Sequence, residues 1–269
     1  MEQLTKLMAN LGGVYRACGP GPALAYAANI AGTLPAVLRT RTLIDADRRM
    51  ARRPWRFRTQ GVDVQIDGRL WSGAREMYAR GVYFPDERFR FTPGTAVLDL
   101  GANSGLFTLL AALRGCRVVA VDAQSGFLEE IEQLAQRHGV SGLVALEHAL
   151  VGAGAGVLAL PGALERATHF RGRQPARLSM STLFERHALE SVDFLKCDIE
   201  GSEFELFEDA ASWLPRVQRI AMEVHCDFGA VAWLVQVLEE HGFGVMLRDN
   251  LSRPVAAIPE SSGYLFAVR

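Results

Sequence analysis

Val97-Leu98-Asp99-Leu100-Gly101-Ala102-Asn103-Ser104-Gly105 is the stretch of this 269-residue chain that decides its fold. A short apolar run, Ala96 to Leu100, ends at a glycine, the chain turns, and an almost wholly apolar segment follows from Leu106 to Leu113. A buried strand, a glycine-rich turn and a buried helix in that order open a parallel sheet with crossover helices. Gly101 and Gly105 read as points where the backbone approaches a ligand that any Cβ would push away. The spacing is Gly-x-Asn-x-Gly and not Gly-x-Gly-x-x-Gly, so the pyrophosphate cradle of dinucleotide enzymes is absent. Asp99, just before the first glycine, can hold an amino group of a ligand.

Strands and helices alternate outward from this motif. Arg117 to Val121 is a second strand. Ser125 is expected to cap the next helix, whose stripe is Phe127, Leu128, Ile131, Leu134 and Ala135, and Gly139 ends it. Leu143 to Leu146, Val192 to Cys197 and Ile220 to Val224 continue the sheet, and Ala230 to Glu240 is a further helix. Val245 to Leu247 and Tyr264 to Val268 should pair antiparallel at the sheet edge. Upstream, Val62 to Ile66 and the helical piece Gly73 to Arg80 read as a lead-in to the sheet. Residues 1–60 are expected to form a helical, arginine-rich extension broken by Gly19-Pro20-Gly21-Pro22 and Pro35, and residues 61–269 the α/β domain.

Polar groups at the ends of buried strands need a reason, because parallel strands covered on both faces should be apolar throughout. Asp122 ends the second strand, where a carboxylate can accept both hydroxyls of a ribose. Asp193-Phe-Leu-Lys-Cys-Asp198-Ile-Glu200-Gly201-Ser-Glu203 leaves its strand with three acids in close succession. Arg219-Ile-Ala-Met-Glu223-Val-His225 leaves its own with an acid and an imidazole. In an open α/β sheet these ends meet in one crevice beyond the carboxyl edge. His225 has the ordinary pKa of a neutral-pH base. Asp198, Glu200 and Glu223 can orient it, act as the base, or hold a cofactor's ammonium group. Asp198 and Glu200 would also suit Mg²⁺, but no second carboxylate pair accompanies them and a required metal is not expected. His138 and His241 fall at helix ends and read as structural. Arg166, His169, Arg171, Arg173 and Arg177 populate a loop that either closes over an anionic acceptor or is simply solvated.

The balance of 29 Lys and Arg against 30 Asp and Glu leaves a formal charge of −1. Nothing global draws the chain to nucleic acid, and no nucleic-acid partner is expected. Locally, Arg39, Arg41, Arg48, Arg49, Arg52, Arg53, Arg56 and Arg58 face only Asp45 and Asp47. Two readings stay open there: a solvated helix face, or peripheral contact with a membrane or acidic partner. The run Ala23 to Leu38 is shorter than a membrane span and holds Gly32 and Pro35. No secretory leader is legible, since Glu2 and Lys6 break the required order. Cys18, Cys116, Cys197 and Cys226 follow no metal or disulfide spacing, which fits a reducing compartment. A cytoplasmic protein is expected, peripheral at most to the inner membrane face.

Three stretches together resemble the FkbM-type methyltransferases: Val97 to Gly105, Leu195-Lys-Cys-Asp-Ile-Glu-Gly-Ser-Glu203, and the Glu223-x-His225 strand end. Arg75-Glu76-Met77-Tyr78 followed by Tyr83 is similar to the segment these proteins carry before the first strand. The resemblance runs from about Gly73 to Val268. It implies a Rossmann-like class I methyltransferase fold: α/β, with seven mostly parallel strands and an antiparallel edge strand. It also implies S-adenosyl-L-methionine as donor, and methyl transfer to a hydroxyl of a sugar, polyketide or other small-molecule or glycan acceptor. The expected cofactor contacts are Asp99, Gly101, Ala102, Asn103, Gly105, Asp122, Ala123 and Asp198. Ala149 and Leu150 would form a flat wall where the third strand of such folds adjoins adenine. One departure is visible, in that Asp122-Ala123-Gln124 stands where the family often has Glu-Pro. A non-catalytic cofactor-binding partner or membrane scaffold is the competing reading, and an NAD-dependent oxidoreductase a more distant one.

Overall fold

The structure, a computed structural model, describes residues 2–152, 175–259 and 261–269. It divides into two compact units, Met1–Val82 and Tyr83–Arg269.

In the first unit, α1 (Glu2–Cys18), α2 (Pro20–Ala31), α3 (Leu34–Thr40) and α4 (Ile44–Met50) precede an antiparallel hairpin, β1 (Trp55–Thr59) and β2 (Val62–Ile66). The prolines start helices more than they break them. Pro20 opens α2 and Pro35 lies in the first turn of α3, where the missing N–H costs nothing. The strand expected at 62–66 is present, but it pairs with β1 and is not a lead-in to the large sheet. The helical piece that follows is α5 (Trp71–Ala74), continued as a π-helix over Arg75–Arg80 and closed by Gly81 at a φ of 67°. At the centre, Asp47 is 5% exposed and accepts hydrogen bonds from Tyr26, Trp71, Ser72 and Arg75. The Trp71 ring packs among Tyr26, Trp55 and Phe57.

The second unit holds β3 (Ala96–Leu100), α6 (Leu106–Leu113), β4 (Arg117–Asp122), α7 (Ser125–Arg137) and β5 (Val144–Val151). After the undescribed residues come β6 (Ala176–Leu178), α8 (Met180–Arg186), β7 (Phe194–Cys197), α9 (Glu203–Glu208), α10 (Ala210–Trp213) and β8 (Arg219–His225). Then follow α11 (Val231–Glu240), β9 (Gly244–Arg248), β10 (Pro254–Val255) and β11 (Ser262–Val268). The sheet order is β10-β9-β11-β8-β7-β3-β4-β5-β6. Its seven main strands, β5 to β9 in space, are the Rossmann-like arrangement, extended by the two short strands β6 and β10. The antiparallel pairs of this sheet are β8 with β11, β11 with β9, and β9 with β10. β9 and β11 pair as expected, Tyr264 against Arg248, but β11 is inserted between β8 and β9 and does not lie outermost.

All of β3 is buried, which explains why it is apolar except at Asp99. Ala96, Leu98 and Leu100 join the core formed with α8 to α11, while Asp99 faces α6 and accepts a hydrogen bond from Thr108. The chain runs from β3 outward to β5 and returns on the other side as β7. The strand order therefore reverses between β3 and β7, and their carboxyl ends open the crevice such sheets use for ligands.

Candidate functional site

At the end of β3 the chain turns on Gly101, whose φ is 72°, and enters α6 after Gly105, at 76°. Both angles favour glycine, and a Cβ at either position would meet packed protein atoms. A Cβ on Gly101 would run into the Asp198 carbonyl oxygen, and one on Gly105 would lie 2.6 Å from Ile131. The glycines thus also bring the β3 turn against β7 and α7, while Gly101 still lines the crevice. Val121 holds the turn from the other side, its carbonyl accepting from Gly101 and Ala102 at 3.0 Å each. Beneath it Lys196 is buried; its ammonium donates to the Gly101 carbonyl and stands 3.3 Å from Asp99. Burial alone would lower the Lys196 pKa, but Asp99 and Asp198 outweigh it and hold it above the ordinary lysine value.

The crevice above this turn is lined by Leu100, Gly101 and Asn103 of the turn, Val121 to Gln124, Phe127, Ala149 to Val151, and Asp198, Ile199, Glu200 and Ser202. Asp122 lies midway. It accepts from the Asn103 N–H at 2.7 Å and the Gln124 N–H at 2.8 Å, and burial raises its pKa above the usual carboxylate value. It therefore does the work of a turn cap while lining the crevice. Ser125, expected as the cap of α7, is instead its first helical residue. His148 lies beside Asp122 on β5, and its Nε2 is 3.0 Å from the Ala123 carbonyl, bracing the same turn.

The acids gather at the far end. Tyr83, buried, donates its hydroxyl to Asp198 at 2.9 Å, and its own pKa is pushed well up by burial and by the charges of Asp198 and Glu223. The His225 Nδ1 is 2.9 Å from the fully buried carboxylate of Glu203, and its Nε2 is 3.5 Å from Glu200. Burial would lower the His225 pKa, but the Glu203 hydrogen bond and the charges of Glu203, Asp198 and Glu200 raise it to about 9. Glu200 is largely exposed and has a φ of 55°, left-handed for a residue with a side chain. Asp198, Glu200 and His225 each offer a ligand atom, and these atoms lie within 4.8 Å of one another.

The sequence pattern of the methyltransferase FkbM domain matches residues 99–245, more than half of the chain. The chain belongs to the FkbM methyltransferase family. S-adenosylmethionine is the methyl donor of this FkbM protein, and its sulfonium makes the attached methyl group electrophilic. The donor set fits that molecule: an apolar stretch at Phe127 and Leu150, a carboxylate at Asp122 for a diol, and further carboxylates towards Asp198 for a cationic end. Among solved structures the FkbM protein is similar to a putative methyltransferase from Streptococcus mutans in complex with SAH. The identity is 14%, over 67% of this chain and 92% of that one, with a TM-score of 0.44. It is also similar to a rRNA methylase from Streptococcus thermophilus, at 16% identity over 66% and 89% of the chains and a TM-score of 0.43. A precorrin-6y C5,15-methyltransferase from Geobacter metallireducens matches at 17% identity over 68% and 85%, with a TM-score of 0.39. No curated protein matches.

Within this FkbM chain, Gly101, Asn103, Asp122, Ala123, Ala149, Asp198 and Glu200 come together on the crevice wall. Asp99, Ala102 and Gly105 are buried away from that wall, and Asp99 is fully buried against Lys196 and Thr108. Glu223 is half-buried on the same strand as His225, opposite Tyr264. Sequence reasoning gave no role to Lys196, Phe127 or Tyr83, and counted Glu203 among the converging acids without assigning it a part. The lysine was visible as a charge within an apolar strand. Arg166, His169, Arg171 and Arg173 lie outside the described residues. His138 and His241 cap α7 and α11, and His241 Nδ1 is 2.8 Å from the Val237 carbonyl.

Proposed function

We propose that the protein transfers the methyl group of S-adenosylmethionine to a hydroxyl oxygen of a small-molecule or glycan acceptor, with His225 as the base. The observation that carries this reading is the chain Glu203–His225–Glu200, whose last member lines the crevice. An alcohol becomes an effective nucleophile only as its proton leaves, and a positioned base supplies about 10²–10⁴-fold. Glu203 fixes the ring through Nδ1, which leaves Nε2 turned towards Glu200 and the exposed side. The carboxylates that raise the His225 pKa stabilise the imidazolium formed when it takes the acceptor's proton. Asp122 would accept the ribose hydroxyls. Asp198, held by Tyr83, would face the methionine end. Asp99 acts one layer down, fixing Lys196 and through it the Gly101 carbonyl.

An acceptor other than nucleic acid is supported by the same cluster. Asp198 and Glu200 on the crevice wall would repel a phosphodiester backbone, and the formal charge of −1 supplies no compensating attraction. The test is transfer of labelled methyl from the donor to a panel of hydroxylated sugars, glycans and polyketides, with structured RNA as a further acceptor. Label on a hydroxyl oxygen, lost in His225→Gln with donor binding intact, supports the reading. Label on RNA, or donor binding without turnover on any acceptor, sinks it.

A further inference from the structure

Among the described residues, the large apolar side chains left exposed are Met8, Tyr15, Leu24, Leu34, Leu38 and Ile44, and all six belong to Met1–Val82. Their setting is unusual. From Cys18 to Leu38 the sequence carries no charged side chain. On α2 the exposed positions Gly21, Leu24, Ala28 and Ala31 recur at helical spacing, so its outward stripe is apolar, while Tyr26 and Ile30 turn inward. A helix facing water normally carries polar residues on that side. Leu34 and Leu38 repeat the pattern one turn apart on α3.

Arginines begin where the leucines end. Eight lie between Arg39 and Arg58, each of them exposed. Asp47, half of the acidic charge in that stretch, is consumed in the core by Arg75 and leaves the surface more basic than the sequence suggests. Arg49 donates to the Gly32 carbonyl at 3.2 Å, which places a guanidinium at the end of the apolar stripe of α2.

We propose that the Met1–Val82 unit docks on an anionic bilayer surface, its exposed leucines entering the headgroup boundary and its arginines pairing with lipid phosphates. Charge complementarity favours this occupant. A second copy of the chain packed about a two-fold axis would set arginines against arginines. RNA would engage the arginines and leave the leucines in water. An anionic interface satisfies both at once. No described helix is long and apolar enough to cross a membrane, so the contact lies in the interfacial plane.

The experiment is flotation of the full chain with vesicles of phosphatidylcholine alone, and of phosphatidylcholine mixed with an equal amount of phosphatidylglycerol. Binding should be confined largely to the mixed vesicles and should weaken with salt. Each surface arginine contributes about fivefold in partitioning, so Arg39→Gln with Arg41→Gln should cost about 25-fold. Leu34→Ser with Leu38→Ser should cost tenfold or more, about what losing one buried leucine side chain removes. All four side chains are exposed, and circular dichroism verifies that the variants fold. No preference for anionic vesicles would overturn the proposal. So would binding that survives the leucine pair, or a concentration-dependent dimer that dissociates in both variants.

Discussion

His225 and Glu203 form a closed pair, the imidazole Nδ1 2.9 Å from a carboxylate with no exposure to solvent. The two side chains come from different elements, the last residue of β8 and the first of α9. Their contact fixes the ring and sets its charge, because a buried acid beside an imidazole favours the protonated form. Glu200 and Asp198 add to the same effect, and the pKa rises to about 9. The acid-rich exit from β7 therefore acts on the end of β8.

The pH dependence of turnover follows. A base with a pKa near 9 is about 1% neutral at pH 7, and its neutral fraction rises about tenfold per pH unit up to that value. We expect kcat/KM to climb with a slope near one from neutral pH and to level off around pH 9. Glu203→Gln removes the buried charge and should move the break towards acid. A profile flat from neutral to alkaline pH would rule out His225 as the base. The folded pKa lies above the unfolded value, so the pair's contribution to stability is fully present below about pH 6.5 and is lost as pH rises through 9.

Donor binding should depend on Asp122 and Gly101 for different reasons. Asp122→Ala removes the acceptor expected to meet the ribose hydroxyls, and calorimetry should show roughly a 10- to 100-fold loss of affinity in a folded protein. Gly101→Ala forces a Cβ into the Asp198 carbonyl at a positive φ. It should cost about 1–3 kcal/mol of stability as well as binding, read from a denaturant titration. Unchanged stability in Gly101→Ala would mean that the β7 loop yields more readily than its packing indicates.

Much of this arrangement is legible in the sequence because buried parallel strands are near-continuous apolar runs, and Val97 to Leu100 and Phe194 to Cys197 are such runs. The acids at their ends stand out for the same reason. What is hidden depends on contacts without periodicity. Tyr83 meets Asp198 across 115 positions, and nothing local marks Glu203 as buried while the neighbouring Glu200 is exposed. Asp47 sits in an arginine run and reads as one of its solvated counter-charges, yet only tertiary packing decides which side of α4 turns inward. The insertion of β11 between β8 and β9 is likewise invisible, since adjacent final strands satisfy either order.

Metal dependence is testable directly. Asp198, Glu200 and His225 are close enough to share an ion, but Glu203 and the surrounding carboxylates already balance the imidazolium. We expect turnover to be undiminished in EDTA and unaffected by added Mg²⁺. Loss on chelation with recovery on Mg²⁺ would reassign the trio as ligands and remove His225 as the base.

Lys196 should matter to stability out of proportion to its solvent exposure. Replacing it with Met leaves Asp99 buried without a cation, and removal of one partner from a buried ion pair costs about 3–5 kcal/mol. Asp99→Asn in the same chain removes the stranded charge and should recover part of that loss. The comparison is a double-mutant cycle in denaturant, and additive effects would show that the two residues do not act as a pair.

The amino-terminal unit makes the corresponding case around Asp47. Its two oxygens accept from Tyr26, Trp71, Ser72 and, in a forked arrangement, Arg75, so this one carboxylate joins α2, α4, α5 and the π-helix. Asp47→Ala would leave a buried guanidinium without its counter-charge and three polar side chains without their acceptor. A loss of about 3–5 kcal/mol is expected. Asp47→Asn keeps the shape and one acceptor oxygen but loses the charge and turns an amide N–H₂ towards donors, so it should rescue little. Hydrogen exchange locates the effect. Amides of α2, α4 and the β1–β2 hairpin should exchange faster in both variants, while those of β3, β4 and β7 keep their protection. Equal loss of protection in β3 and in α4 would show that the two units unfold together, and that Asp47 supports the whole chain.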